Sequence, residues 1–321
     1  MQREQRASII DTLSSGYRLI NRWPLLLAPP IVLDLFFWFG PRLSAPKPLQ
    51  AMTDQLISQS EASEEILGML RAGTAQSDLF ALLALQLPSM MRLLPPGQIP
   101  LVAARPQVEL TSVEQTFGLG VVLGLVGLLL STIYLVPIGR AVRDSRPDWA
   151  GSLSPIWRSW LRQLALLGLL VVAAVGAAIP LAFITAVLTV VGLPLGTLML
   201  FVVQIVVIWL LVYLFFVVNA IIVSEVGPVQ AIRYSVVVVR TNFWSSIGLI
   251  LLTVIISIGL PEVFKLIARV AVGVPVAILA NAYINTGLAA ASMLFYRDRL
   301  ARWQQQQRAA TLSRVGPGTP R

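Results

Sequence analysis

Two residue types with distinctive chemistry are missing from this sequence. Its 321 residues include no cysteine and no histidine, and only 12% of them are charged. The chain therefore has no disulfides, thiolate nucleophiles or imidazole bases, and it lacks the commonest protein ligands for zinc, haem and copper. These absences argue against redox chemistry and against a histidine-bound metal. We expect neither a cofactor nor a metal ion.

Apolar sequence dominates what is present. Hydrophobic residues make up 56% of the chain, and the mean hydropathy is +0.79. Both values lie outside the usual range of soluble domains and predict a protein that crosses a membrane several times. A net charge of +9 would suit a nucleic-acid partner. In a membrane protein, however, the placement of basic residues around the spans matters more than their total, so we expect no nucleic acid.

Long apolar runs predict the transmembrane helices, because a helix needs about 20 such residues to cross the hydrocarbon core. We predict an all-α polytopic bundle with about six spans, at 24–41, 115–138, 163–190, 197–222, 246–264 and 271–296. The first span is short and contains Pro29 and Pro30 near its middle, so we expect a kink there. The sequence VGLPLG between the third and fourth spans predicts a tight turn and an antiparallel hairpin.

The distribution of basic residues predicts the orientation. Of the 24 lysines and arginines, 17 lie in the segments on one side of this arrangement and seven on the other. Because basic residues favour the cytoplasmic side, we expect both termini, 1–23 and the basic tail 297–321, to be cytoplasmic. The segment 42–114 would then lie outside. Its mixed polar and apolar spacing predicts an extracytoplasmic helical cap with little or no sheet, followed by an extended stretch PLVAARPQVELTS.

Amphipathic leads with arginine and aromatic residues precede three pairs of spans. They occupy 9–23, 153–168 and 228–248, and their Trp, Tyr and Arg residues suit the headgroup region of a membrane. We expect interfacial helices within 1–23 and near 153–162 and 228–243. The second and third units each run from Gly to Pro over about one span. Apolar sequence produces such matches easily, so an internal repeat stays open.

One stretch, IIVSEVGPVQAIRYSVVVVRTNFWSSIGLILL at 221–252, resembles a known family. The family comprises bacterial multi-spanning proteins related to the membrane domain fused to some glycerophosphodiester phosphodiesterases. MLFYRDRL at 293–300 is similar to the close of that family's last span. The resemblance covers about 150–300, and the N-terminal 150 residues do not match. Its matching positions are Glu225, Gly227, Arg233, Ser235 (one residue out of register), Arg240, Phe243 and Trp244.

The resemblance implies a six-helix integral membrane fold of largely unassigned activity, in the bacterial cytoplasmic membrane. It does not imply phosphodiesterase activity. The catalytic domain of those enzymes uses histidine on a soluble barrel, and this chain has neither histidine nor a soluble domain of that size.

Asp34 is the clearest ionisable residue inside a predicted span. It lies roughly 16 Å of helix rise beyond Trp23, where a carboxylate costs a few kcal/mol unless it faces protein or water. One interpretation is a carboxylate that responds to protons or cations. The other is that the short span brings Asp34 to the outer boundary, where Arg42, Arg92 or Arg105 neutralises it.

Asn281 and Asn285 share one face of the last span, together with Ala289, Ser292 and Tyr296. Amides and small residues on one face favour close helix packing in lipid, with side-chain hydrogen bonds of about 0.6 to 2 kcal/mol. The same groups suit the lining of a polar cavity. With Gln204 at similar depth, Asp34, Gln204, Asn281 and Asn285 form a candidate intramembrane polar cluster.

Glu225, Arg233 and Arg240 form a candidate interfacial anchor. Arg233 and Arg240 are seven residues apart and share a helix face. An ion pair from Glu225 to Arg233 would hold the amphipathic helix under the bundle, leaving the other arginine for anionic lipid headgroups. Separately, Gly120 and Gly124 have the GxxxG spacing that permits close helix contact.

The function favoured by these features is that of a non-enzymatic integral membrane protein, with a structural, lipid-interacting or accessory role. Its expected partners are membrane lipids and other membrane proteins or further copies of itself. The alternative is a transporter or permease subunit with a polar cavity near Asp34 and Asn285. An enzyme is least supported, because no cluster of carboxylates and no nucleophile with a base occurs at helical spacing.

Overall fold

A computed structural model describes residues 8–57, 78–94, 106–147, 153–190 and 196–315. The described chain is all-α apart from two short strands, which confirms the predicted fold class. The helices are α1 (Ile9–Arg22), α2 (Ala28–Phe39), α3 (Pro46–Ile57), α4 (Val113–Asp144), α5 (Leu153–Val190), α6 (Gly196–Leu214), α7 (Val217–Val223), α8 (Pro228–Thr241), α9 (Phe243–Ile267) and α10 (Gly273–Val315).

Five stretches within the described ranges are long and apolar enough to cross a membrane. They are Val113–Asp144, Leu153–Val187, Phe201–Val223, Phe243–Ile267 and Gly273–Thr311. Each contains most of a predicted span, and the protein is therefore a multi-pass membrane protein. A sixth span exists if the bent pair of Ile9–Arg22 and Pro24–Phe39 is counted as one.

The bend in the first span is not where the prolines predicted it. The chain turns by 99° between Ile9–Arg22 and Pro24–Phe39, at Trp23. Pro29 and Pro30 instead lie in the first turn of α2. Backbone N–H groups in the first turn have no partner within a helix, so proline removes nothing there. The prediction of a kink in the middle of the span was wrong for this reason.

The described parts of 42–114 contain short elements. Strands β1 (Arg42–Ser44) and β2 (Gln107–Glu109) pair in parallel, and β2 falls in the stretch predicted to be extended. Asp78 caps the 3-10 turn at 79–84 by accepting from the backbone N–H of Phe80, and it also accepts from the N–H of Leu43. Much of the predicted helical cap, at 58–77 and 95–105, lies outside the described residues.

The three predicted leads are all helical, but they differ in whether the helix continues into the following span. A reciprocal capping box starts α1, where Ser8 and Asp11 each accept the backbone N–H of the other. Residues 153–162 are continuous with the following span in the 38-residue α5, whereas α8 is a separate helix between two spans. The basic tail likewise continues the last span to Val315. The VGLPLG turn lies outside the described residues except for Gly196.

The chain divides into two compact units. Unit 1 comprises Met1–Leu19, Val136–Val254 and Leu288–Arg321, and unit 2 comprises Ile20–Leu135 and Ile255–Gly287. The core of unit 2 contains Trp38, Met90, Met91, Leu94, Phe264, Ala268, Val274, Ala277 and Ile278.

A close backbone approach in unit 2 occurs at Gly127. A Cβ there would collide with the carbonyl oxygen of Leu82, so the 3-10 turn at 79–84 rests directly on α4. The GxxxG pair has no such contact: a Cβ on Gly124 would meet nothing within 4 Å, and one on Gly120 would meet only Leu82 at 3.9 Å. The glycine that makes the close backbone contact is Gly127, three residues after the GxxxG pair.

In unit 1 the span at Phe201–Val223 is interrupted between α6 and α7. The N–H of Phe216 would donate to the Val212 carbonyl in a continuous helix, but that carbonyl accepts from Phe215 instead, at 3.4 Å. Ser235 of α8 fills the break. Its hydroxyl accepts from Phe216 N at 3.2 Å and donates to the carbonyl of Tyr213 at 2.6 Å. One buried hydroxyl thus satisfies two backbone groups and joins α8 to the interrupted span.

We predict that Ser235→Ala destabilises the protein by about 1–3 kcal/mol, because it leaves a buried backbone donor and acceptor without their partner. The measurement is thermal unfolding of the purified protein in mild detergent. Ser246→Ala is the matched control, because the Ser246 hydroxyl is fully buried and has no hydrogen-bond partner among the described residues. The control should be neutral or stabilising. Equal destabilisation by both substitutions would contradict the role assigned to Ser235.

Candidate functional site

Asp34 is fully buried in unit 2, and its carboxylate accepts three hydrogen bonds. The Ser89 hydroxyl donates to Oδ1 at 2.5 Å, the Met90 N–H donates to Oδ2 at 2.9 Å, and the Met91 N–H donates to Oδ1 at 3.3 Å. All three donors belong to the turn that begins the 3-10 helix at 91–93. The carboxylate therefore fixes that turn to α2.

No arginine in the described part of the chain binds Asp34, although three were proposed to neutralise it. Arg92 directs Nη1 to the carbonyl of Ala84, at 3.3 Å. Arg42 has no bond to Asp34, and Arg105 lies outside the described residues. Backbone N–H groups and a hydroxyl, rather than a guanidinium, are thus the partners of the carboxylate.

Asn281 and Asn285 lie together in unit 2 and connect two helices. Nδ2 of Asn285 donates to the carbonyl oxygen and to Oδ1 of Asn281, at 3.0 and 2.9 Å. Oδ1 of Asn285 accepts from the hydroxyl of Ser257 on α9, at 2.9 Å. Nδ2 of Asn281 has no partner within the described part of the chain, although this residue is only 1% exposed. This arrangement joins α10 to α9.

The four residues of the candidate polar cluster are not joined by hydrogen bonds as one group. Asn281 and Asn285 bond to each other, and among the described residues neither bonds to Asp34. Gln204 belongs to unit 1, and its side chain is exposed on α6. An exposed amide on a strongly apolar helix is not part of a buried site.

Three further polar pairs were not predicted from the sequence. In unit 2 the hydroxyl of Tyr134 donates to that of Thr286 at 3.0 Å, and both residues are buried. In unit 1, Asn219 donates to Ser292 at 3.2 Å, and the hydroxyls of Ser224 and Tyr296 lie 2.9 Å apart. Ser292 and Tyr296 do lie on the polar face predicted for the last span. Their partners could not be predicted from the sequence, because single Ser, Thr and Tyr residues are common in apolar helices.

Glu225 has a partner other than the predicted one. Its carboxylate binds Arg143 at the end of α4, with Nη1 to Oε1 at 2.6 Å, and Arg143 also binds Asp144 at 3.2 Å. The prediction of an ion pair with Arg233 was therefore wrong. Arg143 is 82 residues away along the chain, so local spacing gave no indication of it. Arg233 and Arg240 are exposed on α8.

The backbone at Glu225 is in the left-handed region, with φ of 52°. Glycine and asparagine favour this conformation after a helix, and other residues carry a cost of about 1–2 kcal/mol. The hydrogen bond from Arg143 lowers the pKa of Glu225, and the charges of Arg143, Arg158 and Arg140 act in the same direction, while partial burial opposes them. The side chain at this strained position thus has a specific ionic partner.

The chemistry available to these groups is limited. Among the described residues no group of three or more acidic side chains is placed to hold a metal ion. Asp34 has its oxygens occupied by three donors, and Glu225 is held by an arginine. These arrangements position helices and turns.

We predict that Asp34→Asn destabilises unit 2 and releases the turn at 89–91. The asparagine amide keeps one acceptor oxygen, but its NH₂ group faces donors and cannot accept from them. At least one backbone N–H therefore loses its partner, which should lower the free energy of unfolding by about 1–3 kcal/mol. The measurements are thermal unfolding in detergent and the rate of limited proteolysis near residues 88–94.

Glu262→Gln is the matched control, because it removes one negative charge from the same unit. The Glu262 side chain is 64% exposed and pairs with Lys265 three residues away, so the expected loss is a few tenths of a kcal/mol. If Asp34→Asn left proteolysis near the turn unchanged, the proposed clamp would be ruled out.

We predict that Glu225→Gly is more stable than Glu225→Gln by about 1 kcal/mol. Both variants lose an ion pair that is more than a third exposed and contributes at most about 1 kcal/mol, but only glycine also relieves the left-handed strain. Urea unfolding in detergent measures the difference. Equal stability of the two variants would mean that the backbone at 225 is not strained.

The same ion pair has a defined pH dependence. Because folding lowers the pKa of Glu225, the pair stabilises the protein above the ordinary carboxyl pKa. This contribution disappears as pH falls through the lowered value. Glu225→Gln should lack this component of the acid dependence.

Comparison with protein-family models, with curated proteins and with solved structures finds no match to this chain.

Proposed function

We propose that this protein is a non-enzymatic integral membrane protein that organises lipid, or serves as an accessory to a membrane complex formed with other membrane proteins or further copies of itself. Its expected location is the bacterial cytoplasmic membrane, with both termini in the cytoplasm. The excess of basic residues on one side of the spans supports this orientation. The bacterial location is proposed from the sequence resemblance of residues about 150–300 alone, because no family model matches the chain.

One observation carries the proposal: several polar side chains in the spans bind one another across or along the helices. Asn285 bonds to Asn281 and Ser257, and Tyr134 bonds to Thr286. Such pairs hold helices together in lipid. A transport site requires polar groups with unused hydrogen-bonding capacity that face water or a substrate.

The alternative is a transporter or permease subunit with a cavity near Asp34 and Asn285. One feature favours it: Nδ2 of Asn281 is buried without a partner in the described residues. The interruption between α6 and α7 also resembles the broken helices of transporters. The hydroxyl of Ser235 binds the two free backbone groups at that break, however, and the Asp34 carboxylate already accepts three hydrogen bonds from the protein, so we favour the first function.

The deciding experiment combines stability with permeability. We expect Asn285→Ala to lower the stability by about 0.6–2 kcal/mol, the range for interhelical hydrogen bonds in membranes, without changing the ion or solute permeability of reconstituted vesicles. Thermal unfolding and vesicle flux assays measure the two effects. Native mass spectrometry of the wild-type protein from mild detergent should show retained lipid or protein partners.

Gln204→Ala is the matched control, since it removes an exposed amide from a span and should leave stability unchanged. A flux that requires wild-type protein and disappears in Asn285→Ala would refute the structural role and establish the transporter.

A further inference from the structure

The helix α8 has two distinct faces. Ala231, Ser235, Val238 and Val239 are buried within unit 1, and Ser235 connects the helix to the broken span. Val229, Gln230, Arg233 and Arg240 are exposed. The buried face fixes the orientation of the helix, so the exposed face is presented in a defined direction.

The order of the spans places α8 at a membrane surface. It lies between Phe201–Val223 and Phe243–Ile267, two consecutive candidate spans, so both of its ends adjoin the same side of the membrane. Trp244, at the start of the second of these spans, is 81% exposed. Exposed tryptophan at a span end is typical of the headgroup region.

Arg233 and Arg240 are the charged groups on the exposed face. Glu225 forms its ion pair with Arg143 and not with an arginine of α8. Neither Arg233 nor Arg240 has a hydrogen bond or ion pair with any residue that the structure describes. Seven residues of helix separate them by about 10.5 Å along the axis. Two guanidinium groups are thus held at a membrane surface without a partner in the described part of the protein.

We propose that Arg233 and Arg240 bind the phosphate groups of anionic phospholipids, with Trp244 inserted beside them. The inference rests on the lipid-interacting function proposed above and specifies its site and lipid class. A guanidinium group donates two parallel hydrogen bonds to a phosphate, and basic residues beside a membrane attract anionic lipids. Charge complementarity therefore favours phosphatidylglycerol-like headgroups over zwitterionic ones.

The test is a lipid titration of the full chain in mild detergent, with bound lipids counted by native mass spectrometry. Phosphatidylglycerol and phosphatidylcholine with identical acyl chains are the probes. We expect the wild-type protein to prefer phosphatidylglycerol, and we expect Arg233→Gln with Arg240→Gln to weaken that binding roughly 25-fold. Because both side chains are exposed and neither bonds to a described residue, the thermal midpoint of lipid-free protein should not change.

Arg302→Gln with Arg308→Gln in the extension of α10 is the matched control, with the same loss of charge. If this control variant lost as much phosphatidylglycerol binding as the α8 variant, the effect would be one of general charge, and the proposed site would be overturned. Equal weakening of phosphatidylcholine binding, or displacement of the lipid by inorganic phosphate at millimolar concentration, would also overturn it. If the wild-type protein retains lipid but the α8 variant binds phosphatidylglycerol normally, this site fails and the proposed function stands. If the wild-type protein binds neither lipid nor a partner, both fail.

Discussion

Hydrocarbon offers no hydrogen bonds to a polypeptide backbone, so every N–H and C=O that leaves a helix within a membrane protein needs a partner from the protein. Three irregular positions among the described residues follow this rule, which also holds for backbone groups buried within protein. At the break between α6 and α7, the hydroxyl of Ser235 satisfies both Phe216 N–H and the Tyr213 carbonyl. At the turn after residue 88, the carboxylate of Asp34 accepts the N–H groups of Met90 and Met91. Pro29 and Pro30 lie where no backbone bond is lost.

The same constraint explains why a carboxylate in the first span is not by itself evidence of function. Burying a charge is costly unless it is hydrogen-bonded, and Asp34 has three donors within 3.3 Å. In return, two backbone N–H groups and a hydroxyl acquire an acceptor stronger than a neutral one. Removing the carboxylate would expose the unpaired donors of the turn. The carboxyl group therefore has a structural reason to be there.

Hydropathy predicted most of the fold, because crossing a membrane constrains length and composition directly. Five of the predicted spans correspond to long apolar helices. The partners within the site depended on tertiary contacts that local spacing does not encode. Arg143 meets Glu225 across 82 residues, and Tyr134 meets Thr286 across 152. Similarly, the GxxxG spacing indicated Gly120 and Gly124, whereas the close backbone approach is at Gly127. A motif shows that close contact is permitted, but only the neighbouring chain decides where it occurs.

The decision between a polar site and helix packing depends on unused hydrogen-bonding capacity. Asn285 uses both ends of its amide, with Nδ2 on Asn281 and Oδ1 on Ser257. Asn281 uses its oxygen, and Nδ2 is the remaining donor. A single spare amide donor suits one acceptor or one water molecule, whereas a path for ions requires a succession of available groups. By contrast, Arg233 and Arg240 are exposed, and their guanidinium groups donate to no described residue. Capacity for ligand binding in the described residues is therefore greater at α8 than among the asparagines of the last span.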